Sequence, residues 1–440
     1  MARVLVLGGG LAGLSSALAL GQSGHQVTLL ESRPFPGGRA SSYPLPADDS
    51  GELIDNCQHI LLKCCVNLID FYHRLGVLDR IHFHTDFYFI EPGGRISVFR
   101  RGVLPAPLHF SESFASLRFL NLRDKLGIAR ALLSLRRERH TRPGLDEITM
   151  LDWLREKRQS PRAIQRFWRQ ILVSAINEEL DRMAASHGFQ VCWLGFLAAA
   201  DSYEMGIPDL PLSELYAPAR WQPFPTIDLR FRHSARRIVF EHGRVAGVQT
   251  DSDTLTADHY ISALPFHVLP AVAPELTLDY SPFEHSPITG IHLWFDRPVT
   301  ILPHATFLDR TIQWMYNKRG GRYLTLVVSA SRSLVAMSRQ QVLDLALREL
   351  AEFLPAVRQA TLEKAHVVKE VRATFSARPG LEELRPIQQT AVPNFSLAGD
   401  WTRSGWPSTM EGAVRSGYLA AEHAAAALGA PARFLLPDIA

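Results

Sequence analysis

The sequence predicts an α/β protein: a Rossmann-like nucleotide-binding domain assembled from separated stretches of chain, with an α+β domain interleaved between them. Three observations carry this expectation. A strand, a glycine-rich turn, a helix, a second strand and an acid open the chain in that order. A short strand ending in Gly-Asp and followed by a helix start closes it. Short β-type segments at 236–262 stand between them. At 440 residues the chain is too long for one ordinary core, so two domains are expected.

Arg3–Leu7 is a β-branched and aliphatic strand. Gly8-Gly9-Gly10-Leu11-Ala12-Gly13 follows and fits G-x-G-x-x-G. Leu14–Ser23 reads as a helix whose small residues Ser15, Ser16, Ala17 and Ala19 allow close packing. Gln26–Leu30 is the next strand, and Glu31 ends it. In this arrangement Gly8 permits the tight turn, and Gly10 lets backbone approach a pyrophosphate. Gly13 lets helix and strand touch, and the helix N-terminus faces phosphate charge. Leu11 and Ala12 in the first turn complete the phosphate cradle, and Glu31 with Ser32 stands where ribose hydroxyls need acceptors.

Near the other end, Phe395–Ala398 is a short strand ended by Gly399-Asp400. A helix starts at Met410-Glu411-Gly412-Ala413, with Ser408 or Thr409 as its N-cap. Between the two ends, Arg236–Phe240, Val245–Thr250 and Thr254–Ser262 read as three strands. The nucleotide-binding stretches are therefore about 1–60, 215–285 and 386–440, and 61–214 with 286–385 form the second domain. In the latter, Phe87–Glu91 pairs with Ile96–Arg100 and Trp314–Asn317 with Tyr323–Ser329 as hairpins. Ser338–Phe353 is an amphipathic helix.

A net charge of +3 excludes a nucleic-acid footprint over the whole chain. Four cysteines are too few for a disulfide framework and suit a reducing compartment. The segment Asp55-Asn56-Cys57-Gln58-His59-Ile60-Leu61-Leu62-Lys63-Cys64-Cys65 gathers three of them around a histidine, but no second pair of ligands stands elsewhere, so no metal site is expected. No apolar run is long enough to span a bilayer. Residues 117–142 interleave leucines with Arg118, Arg123, Lys125, Arg130, Arg136, Arg137, Arg139 and Arg142. That pattern is either a basic amphipathic helix lying on an anionic membrane or an ordinary solvated helix face.

Arg33-Pro34-Phe35-Pro36-Gly37-Gly38-Arg39-Ala40, placed after the ribose acid, resembles the second fingerprint of the amine-oxidase and phytoene-desaturase flavoproteins. The 395–417 segment resembles their C-terminal motif. The resemblance implies FAD in a domain of the glutathione-reductase type. It implies Gly38, Arg39 and Ala40 along the diphosphate, Gly399 and Asp400 at the ribityl or phosphate region, and Met410, Glu411 and Gly412 at the flavin pyrimidine. By the same alignment Ala235 lies where backbone groups hold adenine. No cysteine follows Cys192, so a flavin bound non-covalently is expected.

Asp55-Asn56-Cys57-Gln58-His59, Gly206-Ile207-Pro208, Pro211-Leu212-Ser213-Glu214-Leu215-Tyr216 and Trp406–Ala413 resemble the squalene-associated branch, the hydroxysqualene dehydroxylases, which have Gly where this chain has Cys57. That resemblance implies reduction of an allylic alcohol to squalene in hopanoid-producing bacteria. It also implies an isoprenoid substrate and a cytoplasmic protein held peripherally at the inner membrane face. Departure of hydroxyl needs a general acid, for which Asp55 and His59 are the candidates, each with a plain alternative as turn brace or packing residue. A carotenoid-type desaturase and a flavin amine oxidase are the other readings of the same motifs.

Overall fold

The computed structural model describes residues 1–45 and 51–439; the small parts of the expected nucleotide-binding stretches at 46–50 and 440 lie outside the described residues. A parallel sheet of five strands runs Ile227–Phe231, Gln26–Glu31, Arg3–Leu7, His259–Ser262, Phe395–Leu397. Alternation along its strands sets the layers, because successive side chains leave opposite faces. Val4 and Val6 pack with the helices Leu11–Gln22 and Met410–Ala427, whereas Leu5 and Leu7 pack with Ile238, Val245 and Val248 of a small antiparallel sheet. The first and last helices meet closely because Gly417 has no Cβ. A methyl there would lie 2.2 Å from Ser15 Oγ and 2.3 Å from Ala12 O.

That small sheet corrects one boundary. Arg237–Glu241, Arg244–Gln249 and Thr254–Leu255 are its strands. The expected strand 254–262 is two, since the chain leaves this sheet after Leu255 and joins the parallel one at His259. A second sheet of seven strands runs Leu362–Phe375, His285–Phe295, Tyr323–Ser329, Trp314–Asn317, His304–Phe307, Phe87–Ile90, Ile96–Phe99. Both expected hairpins are in it. Helix Arg339–Phe353, capped by Ser338, covers it with Val342, Ala346, Leu350 and Phe353.

The basic segment also differs from its expectation. Its helix spans Leu122–Thr141, not 117–142, because Asn121 and Asp124 form a capping box that starts it. Leu117 and Leu120, ahead of the cap, are buried in the core instead. Ile128, Ala131 and Leu135 bury one face of the helix, and Leu122, Leu126 and Leu133 are exposed on the other. Among the described residues no helix is long and apolar enough to cross a membrane.

Candidate functional site

The opening turn builds one end of a continuous cavity of about 890 Å³. The first helix begins at Leu11, three residues earlier than its sequence pattern suggested, with Gly10 as N-cap. It has neither a side-chain cap nor an acid in its first turn. Its leading N–H groups are therefore offered to an anion. Gly10 lies in extended backbone (φ −75°, ψ 176°). A Cβ built on it finds nothing nearer than Gly38 Cα at 3.9 Å, so that face opens into the cavity. Gly13 does not line the cavity. It lies behind, where a Cβ would sit 1.9 Å from Gly8 O, which is its packing role.

Glu31 Oε2 accepts from Gly9 N–H at 2.7 Å, and Oε1 accepts from Arg33 N–H at 2.7 Å and from Ser32 Oγ at 3.1 Å. A carboxylate has about four lone-pair sites, so it can order this loop and still receive ribose hydroxyls. Ser32, Gly38, Arg39, Ala40 and Ala235 line the same cavity.

At the next position Arg39 closes a clamp. Its guanidinium meets Asp400 Oδ1 at 2.5 Å and donates to Ala373 O at 2.7 Å. Burial alone would raise the Asp400 carboxyl. The adjacent Arg39 charge and a hydrogen bond from Ser408 Oγ outweigh it and hold the group below the usual carboxylate range. Gly399, Asp400, Met410 and Glu411 line the cavity here. Thr409 is the N-cap of the last helix, accepting from Gly412 N–H at 3.0 Å. Gly412 itself stands behind the wall, where a Cβ would lie 2.4 Å from Pro407 O.

The side chain of Glu411 is engaged away from the cavity. Its carboxylate accepts from Asn67 N–H at 3.2 Å, Asn67 Nδ2 at 2.9 Å and Leu68 N–H at 2.7 Å. It thus caps the helix Val66–Arg74 from outside, leaving a cofactor only the backbone of this residue. Burial pushes its carboxyl up to about 7 despite those donors.

Beyond the clamp the cavity becomes apolar. Leu62, Phe87, Phe99, Leu194, Phe196 and Trp314 are among the residues of this lobe. Residues 56–59 form part of the wall. Asp55 does not. Its Oδ1 accepts from Ser42 Oγ at 2.6 Å and Leu212 N–H at 3.0 Å, and its Oδ2 pairs with Lys318 Nζ at 3.4 Å. The catalytic expectation for Asp55 is therefore corrected: its carboxylate braces the strand Leu53–Asp55 against the 212 turn and faces away from the lobe.

His59 does line the cavity. Its Nδ1 lies 3.3 Å from Cys57 O, so Nδ1–H donates and the Nε2 lone pair is left over. Burial lowers its basicity, outweighing the charge of Asp55. Gln58 Oε1 is buried without a hydrogen-bond partner. Cys57 has φ 62°, the left-handed region where glycine is at ease, which accounts physically for a Gly in resembling sequences. Gly290, opposite, leaves the space for its sulfur: a Cβ there would lie 3.2 Å from Cys57 Sγ. The four cysteines are free thiols, and no cluster of His, Cys, Asp or Glu among the described residues could hold a metal.

Sequence reasoning missed the residues Glu370, Arg372, Ala373 and Thr374, which also line the cavity. The pairing of His285–Phe295 with Leu362–Phe375 slips between Ser286 and Ile288, leaving 371–373 as a bulge. A bulge re-aims side chains, and no residue pattern in that strand announces one. The residues present fit FAD. The uncapped helix start, the Gly10 face that a Cβ would fill, the Glu31 acceptors and the Arg39–Asp400 clamp follow one another along the cavity.

Comparison with known proteins agrees with this geometry. The family description "Flavin containing amine oxidoreductase" matches residues 11–425. A probable zeta-carotene desaturase of Synechococcus elongatus is 26% identical over 483 aligned residues, covering 96% of this chain and 98% of that protein. A 15-cis-phytoene desaturase of an Oncidium hybrid cultivar is 26% identical over 472, covering 96% and 77%. Among solved structures, an oxidoreductase from Methanosarcina mazei superposes with a TM-score of 0.73 at 18% identity, covering 94% and 98% of the two chains. Both of these curated relatives are named as carotenoid-pathway desaturases.

Proposed function

The chain belongs to the flavin containing amine oxidoreductase family, and from that premise we propose that it is an FAD-dependent oxidoreductase desaturating a long isoprenoid hydrocarbon of the carotenoid type. The observation that carries this reading is the continuity of the aromatic, apolar lobe with the dinucleotide groove in one cavity. Bound FAD supplies two-electron oxidation. The protein's part is to hold a flexible hydrocarbon against it and to exclude water. Burial contributes about 0.8 kcal/mol per CH₂, so a long chain is retained without polar contacts. Under this reading 1–60, 215–285 and 386–440 hold the cofactor, and 61–214 and 286–385 hold the substrate.

Reductive dehydroxylation of hydroxysqualene is the second reading. One observation favours it. Two of the segments that resemble that branch pack on each other, with Leu212 N–H donating to Asp55 Oδ1 at 3.0 Å. Against it, hydroxyl departure needs a proton donor, and burial lowers the basicity of His59. Product analysis separates the two. Oxidised holoprotein mixed with phytoene or zeta-carotene is expected to yield a more unsaturated product. Photoreduced holoprotein that instead converts hydroxysqualene to squalene, with no desaturation in the first mixture, would establish the second reading.

Membrane contact belongs to the same proposal, because so apolar a substrate resides in lipid. Six of the fourteen large apolar side chains exposed among the described residues lie between 103 and 133: Val103, Leu104, Leu108, Leu122, Leu126 and Leu133. Arginines surround them. This surface adjoins the lobe: Phe99 of the cavity wall stacks on Phe110 at 4.2 Å, and Arg139 sits 3.6 Å over the ring of Trp193, next to the lining Leu194. Sedimentation with vesicles is expected to require anionic lipid and to fall at least about tenfold in a Val103→Asp, Leu126→Asp, Leu133→Asp variant. Equal sedimentation of wild type and variant would remove this face from the account.

A further inference from the structure

We propose that Glu370 is the proton acceptor of the reaction; this rests on the desaturase reading. Removing two hydrogens from neighbouring carbons requires two destinations. One hydrogen leaves with two electrons in the oxidation that bound FAD supplies. The other leaves as a proton: its C–H electron pair becomes the new π bond, and a base must take the proton inside a lobe that excludes water.

Four carboxylates line the cavity: Glu31, Glu370, Asp400 and Glu411. Glu31 orders the loop at the first glycine turn through Gly9 and Arg33. Asp400 is paired with Arg39. Glu411 caps the helix Val66–Arg74 through Asn67 and Leu68. Asp400 and Glu411 have arginine partners, Arg39 and Arg415; Glu370, like Glu31, has no ion-pair partner among the described residues, and it holds no glycine turn. Its Oε2 accepts from Asn56 Nδ2 at 3.2 Å and its Oε1 from Arg372 N–H at 3.2 Å.

Its position is built by two features the sequence did not reveal. The bulge at 371–373 starts directly after it, and Glu370 sits opposite Ile288, itself a lining residue. The Asn56 amide that holds Glu370 also donates to Arg39 O at 3.1 Å. The carboxylate is thereby tied to the cofactor clamp and to the wall segment 56–59. The ionisable groups facing it are Cys57, Tyr43, His267, Arg39 and Arg372. Cys57 is pushed up to about 12, chiefly by burial and then by the Glu370 charge, and so remains a thiol. His59 offers an acceptor at Nε2. Glu370 is the carboxylate base of this wall.

The test uses holoprotein of wild type, Glu370→Gln and Glu370→Asp. Glu370→Gln keeps the carbonyl that accepts from Asn56 and is expected to retain FAD. Its anaerobic single-turnover rate with polyene should fall at least about 100-fold, with partial recovery in Glu370→Asp. Independently of turnover, removing a negative charge beside the flavin should raise its midpoint potential. A Glu370→Gln protein with near-wild-type rate, or one slowed with an unchanged potential, overturns the proposal. Wild-type flavin that no isoprenoid hydrocarbon reduces would overturn the substrate reading and this step with it. An unchanged potential in Glu370→Gln would by itself refute the placement of Glu370.

Discussion

Gly10→Val is expected to fold and to lose its flavin. The two halves of that result have separate causes. Gly10 has ordinary extended dihedrals, which any residue adopts, and its missing Cβ faces open cavity with Gly38 Cα 3.9 Å away. The protein alone has no steric objection to a side chain there. A diphosphate approaching the uncapped N–H groups of the first helix does, because the added methyls occupy the space its oxygens need. Loss of a helix-terminus anion site with its hydrogen bonds, each of about 1.5–3 kcal/mol, is expected to weaken FAD retention by 100-fold or more. The check is the ratio of flavin to protein after gel filtration, with circular dichroism to confirm the fold. Gly13→Val is the contrasting variant. Its side chain would collide with Gly8 O, so it should fail to fold.

The second large effect concerns Glu411 and pH. Its folded carboxyl titrates near 7, against an ordinary value of 4.5. A raised acid means that the folded chain holds the proton more tightly than the unfolded chain. Stability from this group is therefore complete below about pH 4.5 and is lost progressively as pH rises towards 7. The span corresponds to about 3 kcal/mol, a large share of a typical domain's stability. Wild-type Tm should fall from pH 5 to pH 8, and Glu411→Gln, which keeps an acceptor for Leu68 N–H without an ionisable proton, should flatten that slope. Glu411→Ala should be less stable than wild type at pH 5 by about 2–3 kcal/mol, because it strands the Asn67 and Leu68 donors. An equal slope in Glu411→Gln would show that some other group sets the pH dependence.

What the sequence revealed, and what it hid, follows from the range of the interactions. The nucleotide end was legible because each requirement is local: Gly8 for the turn, Gly10 for the approach, Glu31 at the strand end. Arg39 and Asp400 were each legible through their own segments, but their 2.5 Å pairing closes a loop of several hundred residues. Asp55 was assigned to catalysis because nearness in sequence to the expected flavin was taken as nearness to the reaction. Its carboxylate is instead claimed by Ser42, Leu212 and Lys318, which no local motif points to. The partner of the Glu411 side chain was likewise hidden: Asn67, which claims its carboxylate, is a distant residue that no local motif points to. Glu370 was hidden by a bulge, a defect of pairing between two strands and not a property of either.

The central claim is that flavin and apolar substrate share one cavity and exchange electrons within it. Anaerobic mixing of oxidised holoprotein with a detergent-dispersed phytoene-type hydrocarbon tests this most directly, read by flavin absorbance. The account predicts bleaching of the oxidised flavin in equal stoichiometry with new carbon–carbon double bonds in the extracted product. Flavin that stays oxidised with such hydrocarbons, in protein shown to hold its full complement of FAD, would contradict it.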